Sequence, residues 1–214
     1  MHRQTNACLN IAGIIACSAS DSVKVCLFHH FLTAVMTPQT ILNFWFSDAS
    51  KPFWFEKSDT FDQSIRTEFA DIWQQAAQSE LDAWRGTLEG RLAEIIVLDQ
   101  FSRNLFRNSP QAFAQDNMAV ALAQEALRQS GFEHMPEIQR KFMLMPLMHS
   151  ESRAIHEQAL PLFQRYTDSV TVDFEIRHKA IIDRFGRYPH RNAVFGRVST
   201  PEETEFLKQP GSAF

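Results

Sequence analysis

Cysteine is missing from most of this chain, and glycine is scarce. The three cysteines, Cys8, Cys17 and Cys26, all lie within the first 26 of the 214 residues. A disulfide framework would staple the folded body, so their placement gives no support to an oxidising compartment, and we expect a cytoplasmic location. Only seven glycines are present, and no segment alternates convincingly between apolar and polar residues. Both observations argue against a β-sandwich or a β-barrel.

Several functional signatures are also absent from the sequence. It contains no HEXXH metal motif, no P-loop, no GXGXXG fingerprint and no GXSXG nucleophile elbow. The net charge is −4, so neither nucleic acid nor an anionic membrane is expected as the principal partner. The body also lacks a cysteine nucleophile. Motifs therefore assign no reaction to this protein.

The first 36 residues differ in character from the rest. Their apolar run, ACLNIAGIIAC, is interrupted by polar and small residues and is too short to span a bilayer. It resembles a weak secretory signal, and the residues before Cys17 resemble a lipoprotein cleavage box. A further alternative is an extension translated from a start upstream of a natural one at Met36. We expect residues 1–36 to be an N-terminal extension, disordered or non-natural, and residues 40–214 to form a single helical domain.

Apolar residues recur at helical spacing from residue 40 onward. A helix is expected to follow Asp59, with this aspartate as its N-cap. Pro146 is expected to end one helix near Met145 and to begin another. Thr200 and Glu203 have the spacing of a capping box at the start of a last helix. The sequence therefore predicts an all-α fold, a compact array of antiparallel helix pairs.

The segment GRLAEIIVLDQFSRNLFRN predicts the central helix of this fold. Apolar residues cover nearly all of its faces, which is typical of a buried helix. It nevertheless carries Asp99, Gln100, Arg103 and Asn104. Asp99 and Arg103 are spaced i, i+4 with the acid first, the favoured order for an ion pair on one face. Because an unpaired buried charge is strongly unfavourable, side chains from elsewhere in the chain must complete this polar cluster.

Polar side chains are also dense in the stretch HKAIIDRFGRYPHRN, residues 178–192. Its helix is expected to break at Gly186, and the loop that follows can project side chains into a cleft. An earlier helix is expected to contribute His149 and Glu151, with Glu151 inside the apolar stripe of that helix. Together with the cluster of the central helix, these segments supply the predicted ligand-binding set: Asp99, Gln100, Arg103, Asn104, His149, Glu151, His178, Arg187, His190, Arg191 and Asn192.

Seven segments taken together resemble the bacterial DUF924 family, a domain of unknown function. They are ILNFWF, FDQSIR, LDQFSRNLFR, AFAQD, HSE, RFGRYPHRN and the closing ST-PEE-FL-PG-F, in order over about residues 41–214. The resemblance implies a helical protein of the tetratricopeptide-like (TPR-like) superfamily, and it implies neither an activity nor a cofactor. His156 stands where a glutamine is expected after HSE, which argues against His156 as an essential metal ligand.

Three functions remain open at this point. Arginine and histidine donors outnumber acids in the predicted set, which favours a small carboxylate- or phosphate-bearing ligand. One alternative is a hydrolase-like enzyme, with or without a metal, in which Glu151 orients His149 or His190 as acid or base. Another is a TPR-like scaffold that binds a peptide. We also expect Arg191 to matter to the ligand more than to folding, and Arg103 to do the reverse. No metal or cofactor is assigned.

Overall fold

A computed structural model describes residues 36–213, and all regular structure within them is helical. The predicted all-α class is therefore confirmed, while the interpretation of residues 1–35 lies outside the described residues. A π-helical segment, Ile96–Phe101, joins α3 directly to α4. In chain order the α-helices are α1 (Pro38–Trp45), α2 (Asp59–Ala77), α3 (Leu88–Ile95), α4 (Ser102–Leu105), α5 (Asp116–Ala126), α6 (Glu137–His149), α7 (Arg153–Tyr166), α8 (Ser169–Phe185) and α9 (Pro201–Phe206).

Side-chain caps explain where two of these helices begin. The N-cap of α2 is Ser58, whose hydroxyl accepts from the backbone N–H of Phe61 at 3.3 Å. The prediction that Asp59 is the cap was wrong by one residue, and its carboxylate instead lies in the first turn, where negative charge is favourable. At α9 the capping box is confirmed: Thr200 Oγ1 accepts from Glu203 N at 3.1 Å, and Glu203 Oε2 accepts from Thr200 N at 2.8 Å.

Helix α6 contradicts the expectation that Pro146 ends a helix. It continues through this proline to His149. Proline removes one backbone hydrogen bond, but residues 142–148 are all buried, and the burial of their apolar side chains outweighs that cost. The chain leaves the helix only at Ser150. Glu151 therefore lies in the turn before α7, and its expected place in an apolar helical stripe was wrong.

The predicted central helix is present, but it is not one regular α-helix. Helix α3, the π-helical segment and α4 follow one another without interruption, and residues 92–102 are all buried. A π-helical turn holds more residues than an α-helical turn, so it changes which side chains share a face. Asp99 and Gln100 lie within it. Such turns are frequent at functional sites, so this segment is a candidate part of one.

The central segment packs into an aromatic core that also fixes a neighbouring connection. The ring of Trp45 in α1 lies 5.7 Å from that of Phe101 and 5.5 Å from that of Phe142 in α6, measured between centroids. In the connection to α2, the indole N–H of Trp54 donates to the carbonyl of Trp45 at 2.9 Å. The Trp54 ring also lies 4.9 Å from Phe142. These contacts hold residues 51–57 beside α6.

Helices α6, α7 and α8 pack on one another in turn, and α6 also contacts α8. This arrangement brings the polar end of α6 next to α8, which contains the first part of the stretch 178–192. Over residues 36–213, none of the helices has the length and apolarity needed to cross a membrane. The TPR-like arrangement, the domain boundaries and the cytoplasmic location stay predictions.

Candidate functional site

A cavity of about 760 Å³ lies among residues 53–57, the polar end of the central segment, α6, α8 and the loop after α8. This volume is in the range of small-molecule sites, which typically measure about 300–1,000 Å³. Its lining contains six lysine and arginine side chains but a single carboxylate, that of Glu56. The six basic residues are Lys57, Arg103, Arg107, Lys141, Arg177 and Arg191.

Most of the predicted ligand-binding residues lie around this cavity. Asp99 lies directly behind the wall, where it contacts His149. Glu151, Arg187 and Asn192 do not line the cavity. Seven of the eleven predicted residues line it: Gln100, Arg103, Asn104, His149, His178, His190 and Arg191.

The three remaining residues stabilise the loop after α8. Arg187 donates two hydrogen bonds to Glu203, at 2.7 and 2.8 Å, and these lower the pKa of Glu203 to about 2. Asn192 donates to the same carboxylate at 3.3 Å. Glu151 accepts from the backbone N–H of Tyr188 at 2.9 Å. Their polar groups are therefore used to hold the loop in place, and the sequence could not distinguish this role from ligand binding.

Arg103 makes its closest ion pair with Asp116, a residue that was not part of the predicted set. Nη1 and Nη2 of Arg103 donate to the two carboxylate oxygens at 2.6 and 3.1 Å. The expected pair with Asp99 is present but longer, at 3.4 Å. Asp116 Oδ2 also accepts from Nη1 of Arg191 at 3.2 Å. One buried carboxylate at the start of α5 therefore serves two guanidinium groups.

Arg191 is buried between two aromatic rings. The residue is only 6% exposed, so it is packed into the wall of the cavity, and its expected small effect on folding stays a prediction. The guanidinium carbon lies 4.4 Å from the ring centre of Phe113 and 4.6 Å from that of Tyr188. Burial lowers the pKa of Arg191, although Asp116 opposes this shift. Within residues 36–213, its bond to Asp116 is its only hydrogen bond, and its buried Nε has no acceptor.

Asp99 is fully buried and holds the ring of His149. The distance from Oδ1 of Asp99 to Nδ1 of His149 is 2.7 Å, and Gln100 donates to Oδ2 at 2.5 Å. Burial alone would raise the pKa of Asp99, but its interactions with His149, Arg103 and Gln100 outweigh burial and lower this pKa to about 2. The carboxylate is therefore ionised at neutral pH. It fixes Nδ1 of His149, while Nε2 has no hydrogen-bond partner in the described part of the chain.

These contacts form one chain of alternating charge, to which His149 adds a positive charge only when it is protonated. It runs from His149 through Asp99, Arg103 and Asp116 to Arg191. Both ends of the chain line the cavity, whereas its two carboxylates do not. Because each buried charge has an opposite charge beside it, the network is stable without a ligand and keeps its members in place. His149 and Arg191 are therefore presented to the cavity in a fixed arrangement.

Two further imidazoles in the wall are uncharged at neutral pH. Burial lowers the pKa of His178 to about 3 and that of His190 to about 4, and the charge of Arg191 contributes to both shifts. Nδ1 of His178 lies 2.7 Å from the carbonyl oxygen of Phe174, so this nitrogen carries the hydrogen. Nδ1 of His190 is buried and has no partner within residues 36–213. Neutral imidazoles offer a ligand hydrogen bonds rather than charge.

A second histidine network lies behind the cavity and connects α7 to α8. Nδ1 of the fully buried His156 is 2.8 Å from Glu175, and its Nε2 is 2.9 Å from the carbonyl oxygen of Ser150. Burial raises the pKa of Glu175, although His156 opposes this shift. The hydroxyl of Tyr188 donates to the carbonyl of Met148 at 2.5 Å. In the described part of the chain, no three histidine, cysteine, aspartate or glutamate side chains are grouped to hold a metal ion.

The mouth of the cavity combines exposed aromatic rings with cations. Phe55 is 68% exposed and Phe174 is 43% exposed. Nζ of Lys141 lies 5.2 Å from the ring centre of Phe55, and the guanidinium carbon of Arg177 lies 5.9 Å from that of Phe174. Neither cation forms an ion pair with a carboxylate of residues 36–213. Their charge is therefore available to molecules that approach the cavity.

The site residues that sequence reasoning missed depend on packing between distant segments. Asp116, Phe113 and Tyr188 complete the wall around Arg191, but nothing in their local patterns marks them as a set. One signal was present for Asp116, because a buried Arg103 requires an acid and AFAQD lies among the segments that resemble the family. For the aromatic mouth, we find no comparable signal in the sequence.

Comparison with known proteins identifies the family. The family model "Bacterial protein of unknown function (DUF924)" matches residues 41–211, which include most of α1, the helices α2 to α9 and the polar wall described above. Among solved structures, the protein of unknown function ATU0120 from Agrobacterium tumefaciens is similar, with a TM-score of 0.76 and 35% sequence identity, over 81% of this chain and 97% of that chain. No curated protein shows significant similarity. The chain belongs to the bacterial DUF924 family, whose function is unknown.

Proposed function

We propose that the cavity binds a small molecule that carries a carboxylate or a phosphate group. The observation that carries this proposal is the state of Arg191, a buried guanidinium in the cavity wall with N–H groups that no described residue accepts. The planar fork of arginine matches the paired oxygens of such anions. The rings of Phe113 and Tyr188 hold this fork in place before the ligand arrives, which lowers the entropic cost of binding.

The surroundings of Arg191 support an anionic ligand of limited size. At the mouth, neither Lys141 nor Arg177 forms an ion pair with a described carboxylate, although the charge of Lys141 lowers the pKa of Asp168, and their field attracts an anion from solution. Deeper in the cavity, the neutral ring of His190 supplies a polar contact and adds no positive charge beside Arg191. A deep cavity with convergent polar groups suits a small molecule better than a peptide, which requires a more extended surface. The scaffold alternative is therefore less well supported.

Binding can be tested with the whole protein. Native mass spectrometry of freshly purified protein shows whether a ligand is retained, and isothermal titration calorimetry then measures phosphate, citrate and simple carboxylates directly. We expect at least one of these anions to bind. Absence of a retained ligand together with absence of binding to all of these anions would contradict the proposal.

A matched pair of loop variants makes this test specific. Arg191→Lys and Arg187→Lys each shorten an arginine that is bonded to a carboxylate, but only Arg191 lines the cavity. We expect Arg191→Lys to weaken anion binding by about tenfold or more, since a charge-assisted hydrogen bond contributes about 1.5–3 kcal/mol. Arg187→Lys should have a much smaller effect, because Arg187 acts on the cavity only through the loop that it stabilises. Equal effects of the two substitutions would contradict a direct role for Arg191.

The contact between Asp99 and His149 favours a second candidate, a hydrolase-like enzyme. In this alternative, Nε2 of His149 takes a proton from water as the water attacks an ester of the bound anion, and then passes the proton to the leaving alcohol. Asp99 would orient the imidazole, whereas the sequence had predicted Glu151 in this role. Hydrolysis of 4-nitrophenyl phosphate or of carboxylate esters that is lost in His149→Gln and retained in His134→Gln would support this candidate. Binding of an anion without hydrolysis would exclude the enzyme and support the binding function.

A further inference from the structure

We infer that the ligand of this cavity is an amphiphile. Its anionic group lies at the polar end of the cavity, beside His149, His178 and Arg191, which we call the polar floor. Its apolar body lies against the aromatic mouth. The inference rests on the proposed function, because it assigns the part of the ligand that follows the anion. A cavity of about 760 Å³ can enclose a drug-sized molecule, so a lone carboxylate or phosphate leaves most of it unfilled. The chemistry of the remaining wall therefore describes the rest of the ligand.

Helix α6 shows the change in wall chemistry along the cavity. Lys141, Met145, Met148 and His149 all line it, in this order along the helix. Lys141 and His149 are eight residues apart, which corresponds to about 12 Å along the helix axis. The two methionines between them offer a flexible apolar surface that adapts to different shapes. Between a cation at the mouth and a histidine at the floor, α6 thus presents an apolar stretch.

On a second side of the cavity, α8 also places an apolar residue before a histidine. Phe174, at 43% exposure, and His178, at 6% exposure, both line the cavity and are one helical turn apart. They lie about 6 Å apart along the helix axis. On both α6 and α8, the histidine that lines the cavity lies C-terminal to the apolar lining residues. The polar floor is therefore formed by the C-terminal parts of these helices, and the apolar region lies nearer the mouth.

The connection before α2 supplies a third apolar side. Phe53, Trp54 and Phe55 all line the cavity. Trp54 is anchored by its hydrogen bond to the carbonyl of Trp45, whereas Phe55 remains 68% exposed. Exposed phenylalanine rings beside a cavity favour any apolar group that covers them, because burial of apolar surface is favourable in water. The apolar body of an amphiphile would provide that cover.

Isothermal titration calorimetry with straight-chain carboxylates from acetate to decanoate tests this inference. Each acid is compared with the primary alcohol of the same length. A second series, of alkyl phosphates, shows whether the site binds a phosphate or a carboxylate head group more tightly. We expect affinity to rise by up to about fourfold for each methylene, which corresponds to ~0.8 kcal/mol of apolar burial. The rise should stop once the chain extends past the aromatic rings of the mouth. Alcohols should bind more weakly at every length.

A pair of variants on α8 provides the matched control. Phe174 and Ile176 are both apolar and exposed, at 43% and 46%, but only Phe174 lines the cavity. We expect Phe174→Ser to weaken decanoate binding by about tenfold, roughly the effect of losing the burial of a little under two methylenes, and to leave acetate binding unchanged. Ile176→Ser should alter neither. Because both side chains are exposed, both variants should melt at the temperature of the wild type.

The outcomes separate this inference from the proposed function. If anions bind with an affinity that does not depend on chain length, and Arg191→Lys still weakens them, the anion site stands and the amphiphile is excluded. If alcohols bind as tightly as acids, or if no anion binds, both proposals are wrong. A length dependence that Phe174→Ser and Ile176→Ser reduce equally would also exclude the assigned apolar wall.

Discussion

Nδ1 of His149 lies 2.7 Å from Oδ1 of Asp99, although the two residues are 50 positions apart in the chain. The carboxylate is fully buried and the imidazole reaches the cavity, so the contact joins the interior of the protein to its candidate site. It also begins the chain of alternating charge that ends at Arg191. Removal of one charge from this chain should therefore affect both stability and the geometry of the site.

Asp99→Asn is expected to destabilise the protein strongly. The substitution removes the negative charge that balances Arg103 and His149. Loss of one partner from a buried ion pair typically costs about 3–5 kcal/mol. Urea denaturation measures the change in the free energy of unfolding. Asp48→Asn is the control, because Asp48 pairs with Lys51 on the surface and its loss should have no measurable effect. Equal stability of the two variants would contradict the role given to the buried chain.

Acid should destabilise the protein below pH 6.5 through the buried histidines. The pKa of His190 is lowered by burial from 6.5 to about 4, so the folded state keeps this ring neutral while the unfolded chain takes up a proton. Stability is therefore fully present above pH 6.5 and falls as the pH decreases towards 4. His190→Gln should reduce this slope by up to about 1.4 kcal/mol per pH unit. Unfolding measured across this range should show no such reduction for the exposed control, His134→Gln.

Arg85→Met tests a buried ion pair that lies outside the cavity. Two nitrogens of Arg85 donate to Glu94 at 2.7 and 2.6 Å, and Glu94 is fully buried. The substitution leaves this carboxylate without its partner, so we expect a loss of about 3–5 kcal/mol. Arg128→Met is the matched control, because it breaks an exposed pair with Glu125. Thermal and urea unfolding should separate the two variants clearly, and similar stabilities would contradict the importance of burial here.

Thr200→Ala is expected to weaken the start of α9. The hydroxyl of Thr200 accepts from the backbone of Glu203, and the carboxylate of Glu203 also binds Arg187. Loss of an N-cap typically costs about 1 kcal/mol. Thr204→Ala removes a hydroxyl from the same helix that donates only to a backbone carbonyl, so it should cost less. Both values can be measured by urea denaturation, and a larger effect of Thr204→Ala would count against the capping box.

Short-range patterns were sufficient to predict parts of this structure. Helical spacing identified the all-α class, and the i, i+4 spacing placed Asp99 near Arg103. The capping box of Thr200 and Glu203 was also readable, because its two residues are only three positions apart. In each case, the geometry of a single helix determines the contact, so local sequence contains the necessary information.

Predictions that required knowledge of burial were less successful. Pro146 lies inside α6 because the surrounding side chains are buried, a condition that the proline itself does not reveal. Arg191 follows a helix end and was expected to project into a cleft; it does line the cavity, but two aromatic rings from different segments also enclose it. Local preferences can be overridden when packing buries enough apolar surface.

Local sequence patterns were enough to predict the all-α class, the cap of α9 and a central segment whose polar residues need partners. The identity of those partners depends on the tertiary structure. Asp99 meets His149 and Arg103 meets Asp116 because separate helices pack together. Such contacts depend on the positions of whole elements in space, whereas sequence periodicity describes one element at a time. The same packing brings dispersed polar and aromatic side chains together around one cavity with a polar floor.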